Sequence, residues 1–589
     1  MKTFINKYIK KSGLCLALVL PLATGFMASC SDEHMEIVNT DPSKSPIINP
    51  NSQLTTCLLQ TYGDFSMMDT YRSYITGFTQ HFAGAWNVTN YAGSVHAQDD
   101  QSRLVWDRFY TVAIKNLVDA IKNTEESGKL NLNAVLRIHK VYLMSVLTDI
   151  YGDIPCSEAG KGYTESIANP KYDKQQDIYN WFFTELDSCV NQLDKGTDRI
   201  TGDVTNFDGD TKAWQRYANS LRLRFAMRIS DVEPEKAKKE FEKALNDVHG
   251  YIVKPSEDAF VRYSDQAFTL YKGAEEYDFR VNALGEILYG QDPTSPTYVS
   301  STFVNLMEKT GDPRMYRICR HYVNPKRSEI KPDREGNHDL TDDVIAYFKR
   351  NNMKEPACNP GAAWYTDWVN APSLSEIPTL AKLVEQDPEA GYNTGNFDVR
   401  MLRPALNIDF EMPDRPGFLI TSAEVNFLKA EAKTKGWAVA GSAEALYEQG
   451  VKESMEILND YYLTNSEKIS DEEINTFIAA NPLGSNPKET INTQAWILHM
   501  MNPSEAWANL RRSDYPVMQN RANFKTHDGF TYDDADLSTP TRLKYPMLEG
   551  KYNTVNYNEA IQRLGGTDNW HKRMWWDAND VNVDAPTKK

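Results

Sequence analysis

The segment "NAVLRIHKVYLMSVLTDIYGDIP", residues 133–155, sets the first constraint on the fold. Ala134, Ile138, Val141 and Ser145 recur at helical spacing, while Leu136, Leu143, Met144 and Leu147 occupy the other faces. A helix that is apolar nearly all round must be covered on every side. The rest of the chain is therefore expected to pack helices about it, and Gly152 and Pro155 mark its end.

Suitable neighbours are present. In "KQQDIYNWFFTELDSCVNQLD", Ile178, Phe182, Leu186, Cys189 and Leu193 line one helical face. The stretch "TKAWQRYANSLRLRFAMRISDVEPEKAKKEFEKALND" reads as two helices parted near Glu233 and Pro234. Its Ala218, Leu221, Phe225, Ala237, Phe241 and Ala244 mix small and large residues as close antiparallel pairs require. In "SAEVNFLKAEAKTKGWAVAGSAEALYEQGVKESMEIL", Ala430, Ala432, a break at Gly436, then Ala443, Ala445, Tyr447 and Val451 resemble a tetratricopeptide unit. "INTQAWILHMMNPSEAWANLRRSDYPVM" is also helical, and "TRLKYPMLEGKYN" reads as extended chain and turns. A helix is expected around Tyr71 to Phe82.

Between Pro255 and Gly417 the character changes, with prolines at 293, 296, 313, 325, 332, 356, 360, 372 and 378 and short helices such as Phe303 to Lys309. Loop-rich chain on a rigid frame suits binding. The expected fold is mostly α, with a scaffold at about 51–250 and 418–520 and a loop-rich binding region at about 251–417.

The N-terminus carries Lys2, Lys7, Lys10 and Lys11 and then an apolar run from Gly13 to Ala28, about the length of a secretory leader and short of a bilayer span. Met27-Ala28-Ser29-Cys30 resembles a bacterial lipobox, which makes residues 1–29 a signal peptide and Cys30 the lipidated residue. The alternative is a plain cleavage site beside an unmodified thiol. Ser31-Asp32-Glu33 looks like the acidic tag of surface-displayed Bacteroidetes lipoproteins. Residues 30–50, with Pro42, Pro46 and Pro50, read as a tether to a domain spanning 51–589.

Losing the leader removes four lysines and no acid, which takes the net charge from −17 to −21 and speaks against nucleic-acid binding. Of the 7 cysteines, Cys57, Cys156, Cys189, Cys319 and Cys358 remain beyond Cys15 and Cys30, with no C-x-x-C pair. Buried single thiols are expected, not a zinc site or a disulfide framework.

Several constellations invite a catalytic or metal reading. Asp149 and Asp153 stand four apart like a glycosidase pair, yet one is near a helix end and the other in a turn. "DVTNFDGD" fails the calcium-loop pattern, and Asp210 reads as a helix cap before "TKAW". His81, His96, His139 and His499 stand singly. Glu424, Glu431 and Lys435 read as a solvated or pairing face, with Glu431 set to meet Lys435 one turn on.

A neutral sugar offers no charge to grip, so it is read by flat aromatic faces and planar polar groups. "AGAWNVTNYAG" supplies Trp86, Asn87, Asn90 and Tyr91, and "GAAWYTDWVNAP" supplies Trp364, Tyr365 and Trp368. The ligand-binding candidates are therefore Trp86, Asn87, Tyr91, Trp364, Tyr365 and Trp368, each weighed against a packing role. Tyr271, Tyr289 and Tyr298 are weaker, and Trp575 and Trp576 read as a packed tail.

"TDIYGDIPCSEA", "TKAWQRYANSLRLRFAMRIS", "TSAEVNFLKAEAKTKGW", "INTQAWILHMMNPSEAWANLRRSDYP" and "RLKYPMLEGKYN", in this order behind the lipobox, resemble the successive motifs of the SusD/RagB family of Bacteroidetes lipoproteins, in its SusD-like branch. The resemblance implies a helical fold with tetratricopeptide-like pairs and outer-membrane attachment facing the cell exterior. It also implies a SusC-like TonB-dependent transporter as partner and an oligosaccharide, less often a peptide, as ligand. It implies neither catalysis nor a cofactor. Two rivals remain at this stage: a surface glycoside hydrolase, and a helical interaction scaffold with no small-molecule cleft.

Overall fold

Leu130–Tyr151 is the central helix, buried along its length except at Leu130, Arg137 and Lys140, as its all-round apolar surface requires. Gly152 ends it at φ 88°, a backbone conformation that favours glycine. The computed structural model describes residues 48–84, 102–265, 279–289, 297–320, 405–463, 467–519 and 540–578. The compact unit Pro50–Lys589 holds every helix and strand among them.

The framework is mostly helical. Its main helices are α1 (Pro50–Gly63), α2 (Lys115–Glu126), α3 (Leu130–Tyr151), α4 (Gln175–Leu193), α5 (Thr211–Arg228), α6 (Pro234–Leu245), α7 (Ser422–Thr434), α8 (Ala443–Tyr461), α9 (Pro487–Leu498) and α10 (Pro503–Ser513). Successive pairs pack from α1 to α6, and α7 pairs with α8. The two halves meet where α5 packs on α7, and α7, α9 and α10 then return to α3. The helices α3, α4, α5, α7, α9 and α10 thus form a closed ring of neighbours.

Local chemistry sets the boundaries. Pro234 occupies the first turn of α6, where its missing N–H leaves no bond unmade. Asp210 caps α5 through Lys212 N–H at 2.9 Å. The α7–α8 hairpin is close because Gly450 faces Phe427: a Cβ there would lie 2.6 Å from the ring. The expected helix around Tyr71 to Phe82 is instead a helical run from Phe65 to Phe78 with a π turn at Tyr71–Ile75. Gln80, at φ 55°, breaks the run, and Phe82 enters a strand. "TRLKYPMLEGKYN" ends in a helical turn, Glu549–Tyr552.

Eight short strands accompany the helices among the described residues: β1 (Phe82–Gly84), β2 (Ile154–Pro155), β3 (Tyr172–Asp173), β4 (Ala259–Val261), β5 (Thr297–Val299), β6 (Cys319–Arg320), β7 (Ala405–Leu406) and β8 (Gly417–Ile420). β2 pairs with β3, β4 with β8, and the other four form one antiparallel sheet in the order β1-β5-β7-β6. Cys57, Cys156 and Cys189 are buried free thiols, and Cys319 is half-buried.

Candidate functional site

The candidate ligand residues Trp86, Asn87, Tyr91, Trp364, Tyr365 and Trp368, with Asn90 and the lipidation candidate Cys30, lie outside the described residues. So does Tyr271, and the side chains of Tyr289 and Tyr298 are likewise outside the description. What the structure supplies is the frame from which both aromatic segments depart. Gly84 lies opposite Thr297 and Phe82 opposite Val299, so β1 leads toward residue 85 at the end where β5 begins. Tyr298 lies opposite Ala405, and Ala405 opposite Arg320. With every neighbour antiparallel, segment 321–404 leaves and re-enters at the other end. Trp86 follows β1 by two residues, and the Trp364 cluster lies within the excursion from β6 to β7.

The sheet is pinned to the helices by Gln80 and His81. The Gln80 carboxamide donates to Gln519 O at 2.8 Å and accepts from Gln519 N–H at 3.1 Å and from Thr302 Oγ1 at 2.6 Å. Ser300 Oγ donates to Gln80 O, and Ser300 N–H donates to His81 O at 3.0 Å. One side chain thus joins the roots of β1 and β5 to the chain beyond α10. His81 lies stacked on Trp496 with ring centroids 4.3 Å apart and donates from Nε2 to Trp496 O at 2.9 Å. Its Nδ1 is 2.9 Å from Thr79 Oγ1, and Trp496 Nε1 donates to Thr79 O at 2.9 Å. Burial lowers the His81 pKa to about 3, so the ring is neutral.

A second polar cluster sits inside the helix ring. Arg224 on α5 grips Glu424 on α7 through Nε and Nη2 at 2.6 and 2.7 Å. One turn on, Arg228 Nη2 meets both Glu505 oxygens at 2.6 Å, and Arg228 Nε lies 3.5 Å from Asp149 Oδ2. Asp149 Oδ1 accepts from Tyr179 at 2.7 Å and from Trp576 Nε1 at 2.9 Å. Burial raises the pKa of Asp149 and Glu424, while Arg228 and Arg224 outweigh burial and lower that of Glu505. Such shifts in a cleft would suggest catalysis. Here the groups are paired with one another in the interior, and the Asp149 and Asp153 pair is not convergent: Asp153 takes Gln175 N–H at 2.9 Å and Arg563 Nε at 2.5 Å.

The face formed by Glu424, Glu431 and Lys435 is corrected by the same geometry. Glu424 and Glu431 are buried, Glu431 is held by Arg512 at 2.7 and 2.8 Å, and Lys435 reaches Asp231 at 2.9 Å. The pairing is between elements, because α7 is enclosed on several sides. In "DVTNFDGD", Asp203 closes the turn, accepting from Thr205 N–H, Gly209 N–H and Trp214 Nε1 at 2.8, 2.9 and 2.8 Å. Trp576 is fully buried and Trp575 packs against the core.

Beside β8 lies a cavity of about 40 Å³, lined by Phe418, Ile420, Ile457, Leu458 and Tyr462 among others. That volume holds a water or two. Ligand pockets run to roughly 300–1,000 Å³, so a sugar has no room there.

Sequence reasoning passed over Arg224, Arg228, Gln80 and the His81–Trp496 stack. Arg224 and Arg228, four apart on α5, are a legible signal: both lie on one helical face among buried residues and each needs an acid. Gln80 gave none, because its role comes from chain remote in sequence.

A family model described as "Starch-binding associating with outer membrane" matches residues 43–353. One described as "Susd and RagB outer membrane lipoprotein" matches residues 391–577. Among solved structures, one described as "Bacteroidetes AC2a SusD-like" is 39% identical, covers 90% of this chain and 100% of its own, and superposes with TM-score 0.78. A chitin-binding protein is 31% identical over 90% of this chain and 100% of its own, with TM-score 0.69. A SusD homolog from Bacteroides uniformis ATCC 8492, 23% identical over 90% of this chain and 100% of its own with TM-score 0.64, shares the fold. No curated protein matches the chain.

Proposed function

Since the chain belongs to the SusD/RagB family of outer-membrane lipoproteins, we propose that it captures an oligosaccharide at the cell surface and delivers it to a SusC-like TonB-dependent transporter. The observation that carries this reading is the match to a SusD-like protein at 39% identity over that protein's full length. A chitin-binding relative at 31% identity directs attention to chito-oligosaccharides among the candidate ligands, with peptides as the lesser class.

Cys30 carries the lipid in this reading, with residues 1–29 removed, residues 30–50 as tether and the transporter as partner. Among the described residues no helix is long and apolar enough to cross a membrane, which is compatible with attachment by lipid. Trp86, Asn87 and Tyr91, with Trp364, Tyr365 and Trp368, supply the stacking and hydrogen-bonding surface. The two groups depart from opposite ends of one small sheet, so ligand contact at both requires each segment to reach past its root. The role is capture without catalysis and without a cofactor.

Isothermal titration of the chain from Ser31 onward against chito-oligosaccharides, other oligosaccharides and peptides tests the reading. Binding to one glycan that is lost in Trp86→Ala or Trp364→Ala, with folding intact, supports it. A response to peptides alone moves the ligand class, and silence across the panel withdraws the aromatic assignments.

A further inference from the structure

At the start of α7 two acidic side chains are buried without a cation of their own. Asp258, just before β4, is 0% exposed and Glu453 on α8 is 1% exposed. Glu424 and Glu431 each have an arginine, whereas among the described residues no ion pair reaches Asp258 or Glu453. Desolvating two such carboxylates as anions is costly.

Their hydrogen bonds are unequal. Glu453 accepts from Gln449 Nε2 at 2.8 Å on Oε1 and from Asn426 Nδ2 at 2.9 Å on Oε2. Asp258 Oδ1 accepts from Ser422 N–H at 2.6 Å, while Asp258 Oδ2 and the Ser422 hydroxyl are buried without a partner. Ser422 stands between the two acids: its N–H binds Asp258, and Asn426, one turn further along α7, binds Glu453. The other charged or titratable neighbours are Glu257, Lys429, Glu456 and Tyr461. Arg216 and Lys254 already attend Glu257, at 3.8 and 3.9 Å, and Lys452 attends Glu456 at 3.7 Å. Lys429 stands 5.4 Å from the Tyr251 ring, outside ion-pair distance of Glu453.

We propose that Asp258, Ser422 and Glu453 form a proton-sharing relay that makes the junction of β4, α7 and α8 sensitive to pH. Asp258 carries the proton on Oδ2 and donates it to Ser422 Oγ, and Ser422 Oγ–H donates to Glu453. One added proton satisfies both unpartnered atoms and leaves one negative charge instead of two. Glu453, fed by two amide donors, is the member that stays ionised. Burial raises both carboxyl pKa values, in agreement. An acid whose pKa is raised by folding stabilises the fold at low pH, and that contribution is lost as pH climbs through the folded value. The junction therefore weakens on the alkaline side.

The test uses the mature chain and three variants. Asp258→Asn keeps the Oδ1 acceptor and places a permanent donor at Oδ2, imitating the protonated acid. At about pH 9 its Tm should exceed wild type by roughly 1–3 °C, with a shallower alkaline decline. The infrared difference spectrum at about pH 7 should show a protonated carboxylic carbonyl band present in wild type and missing in Asp258→Asn. Glu453→Gln should lower Tm, because its amide nitrogen would face the donors of Asn426 or Gln449. Ser422→Ala should shift the carbonyl band by removing its acceptor, which keeps the idea testable if Asp258→Asn fails to fold. No band lost in Asp258→Asn with an unchanged alkaline slope, or a band unmoved in Ser422→Ala, overturns the relay.

Discussion

Arg228 on α5 and Glu505 on α10, 277 residues apart in sequence, meet in the interior with Nη2 at 2.6 Å from each carboxylate oxygen. Both are buried, and Asp149 completes the group with Arg228 Nε at 3.5 Å. Removing one partner leaves an uncompensated charge, so Glu505→Gln should cost about 3–5 kcal/mol. Urea unfolding of the two proteins measures it. A loss within about 0.5 kcal/mol would show that the pair is replaceable.

Three buried histidines work against the fold in acid. Burial lowers His81 to about 3 and His139 and His499 to about 4. In the unfolded chain each takes its proton near pH 6.5. Below that pH the unfolded state is favoured, so stability should fall as pH drops from about 6.5 toward about 4, by up to about 3 kcal/mol per histidine. Denaturant midpoints across this range check the slope, and His139→Phe should reduce it.

The α7–α8 hairpin depends on the missing side chain of Gly450. An added Cβ would stand 2.6 Å from Phe427 Cε1 and 3.2 Å from Ala423 O. Gly450→Ala should therefore destabilise by about 1–3 kcal/mol despite its better helix propensity. A thermal melt with an unchanged or higher Tm would mean that Phe427 moves aside freely.

Gln80 joins three chain segments through one carboxamide. Gln80→Ala leaves the Gln519 backbone and Thr302 hydroxyl without those bonds and should cost about 1–3 kcal/mol. Hydrogen exchange should report the loss at Gln519 N–H. If that amide remains as protected as in wild type, Gln80 is not its fastening.

The framework was legible because burial on every side writes itself into composition. Residues 133–155 read as a central helix because so few positions are polar, and the break at Pro234 follows from proline's missing donor. The faces of α7 were misread for the converse reason. Glu424 and Glu431 look like solvent-facing acids along their own helix, and only the arrival of Arg224 and Arg512 from other helices makes them interior. Charge partners that lie 200 and 81 residues away leave no local spacing. Gln80 was invisible on the same ground. The candidate aromatics were proposed from side-chain chemistry alone, and the sequence has no means of showing that their two segments depart from opposite ends of one sheet.

The hydrogen bond from Trp576 Nε1 to Asp149 joins the central helix to chain synthesised 427 residues later. A nascent protein halted before Trp576 carries the same α3 with one donor to its buried aspartate missing. The last indole of the chain therefore completes the hydrogen bonding of the central helix: without it, Asp149 Oδ1 keeps only its Tyr179 donor.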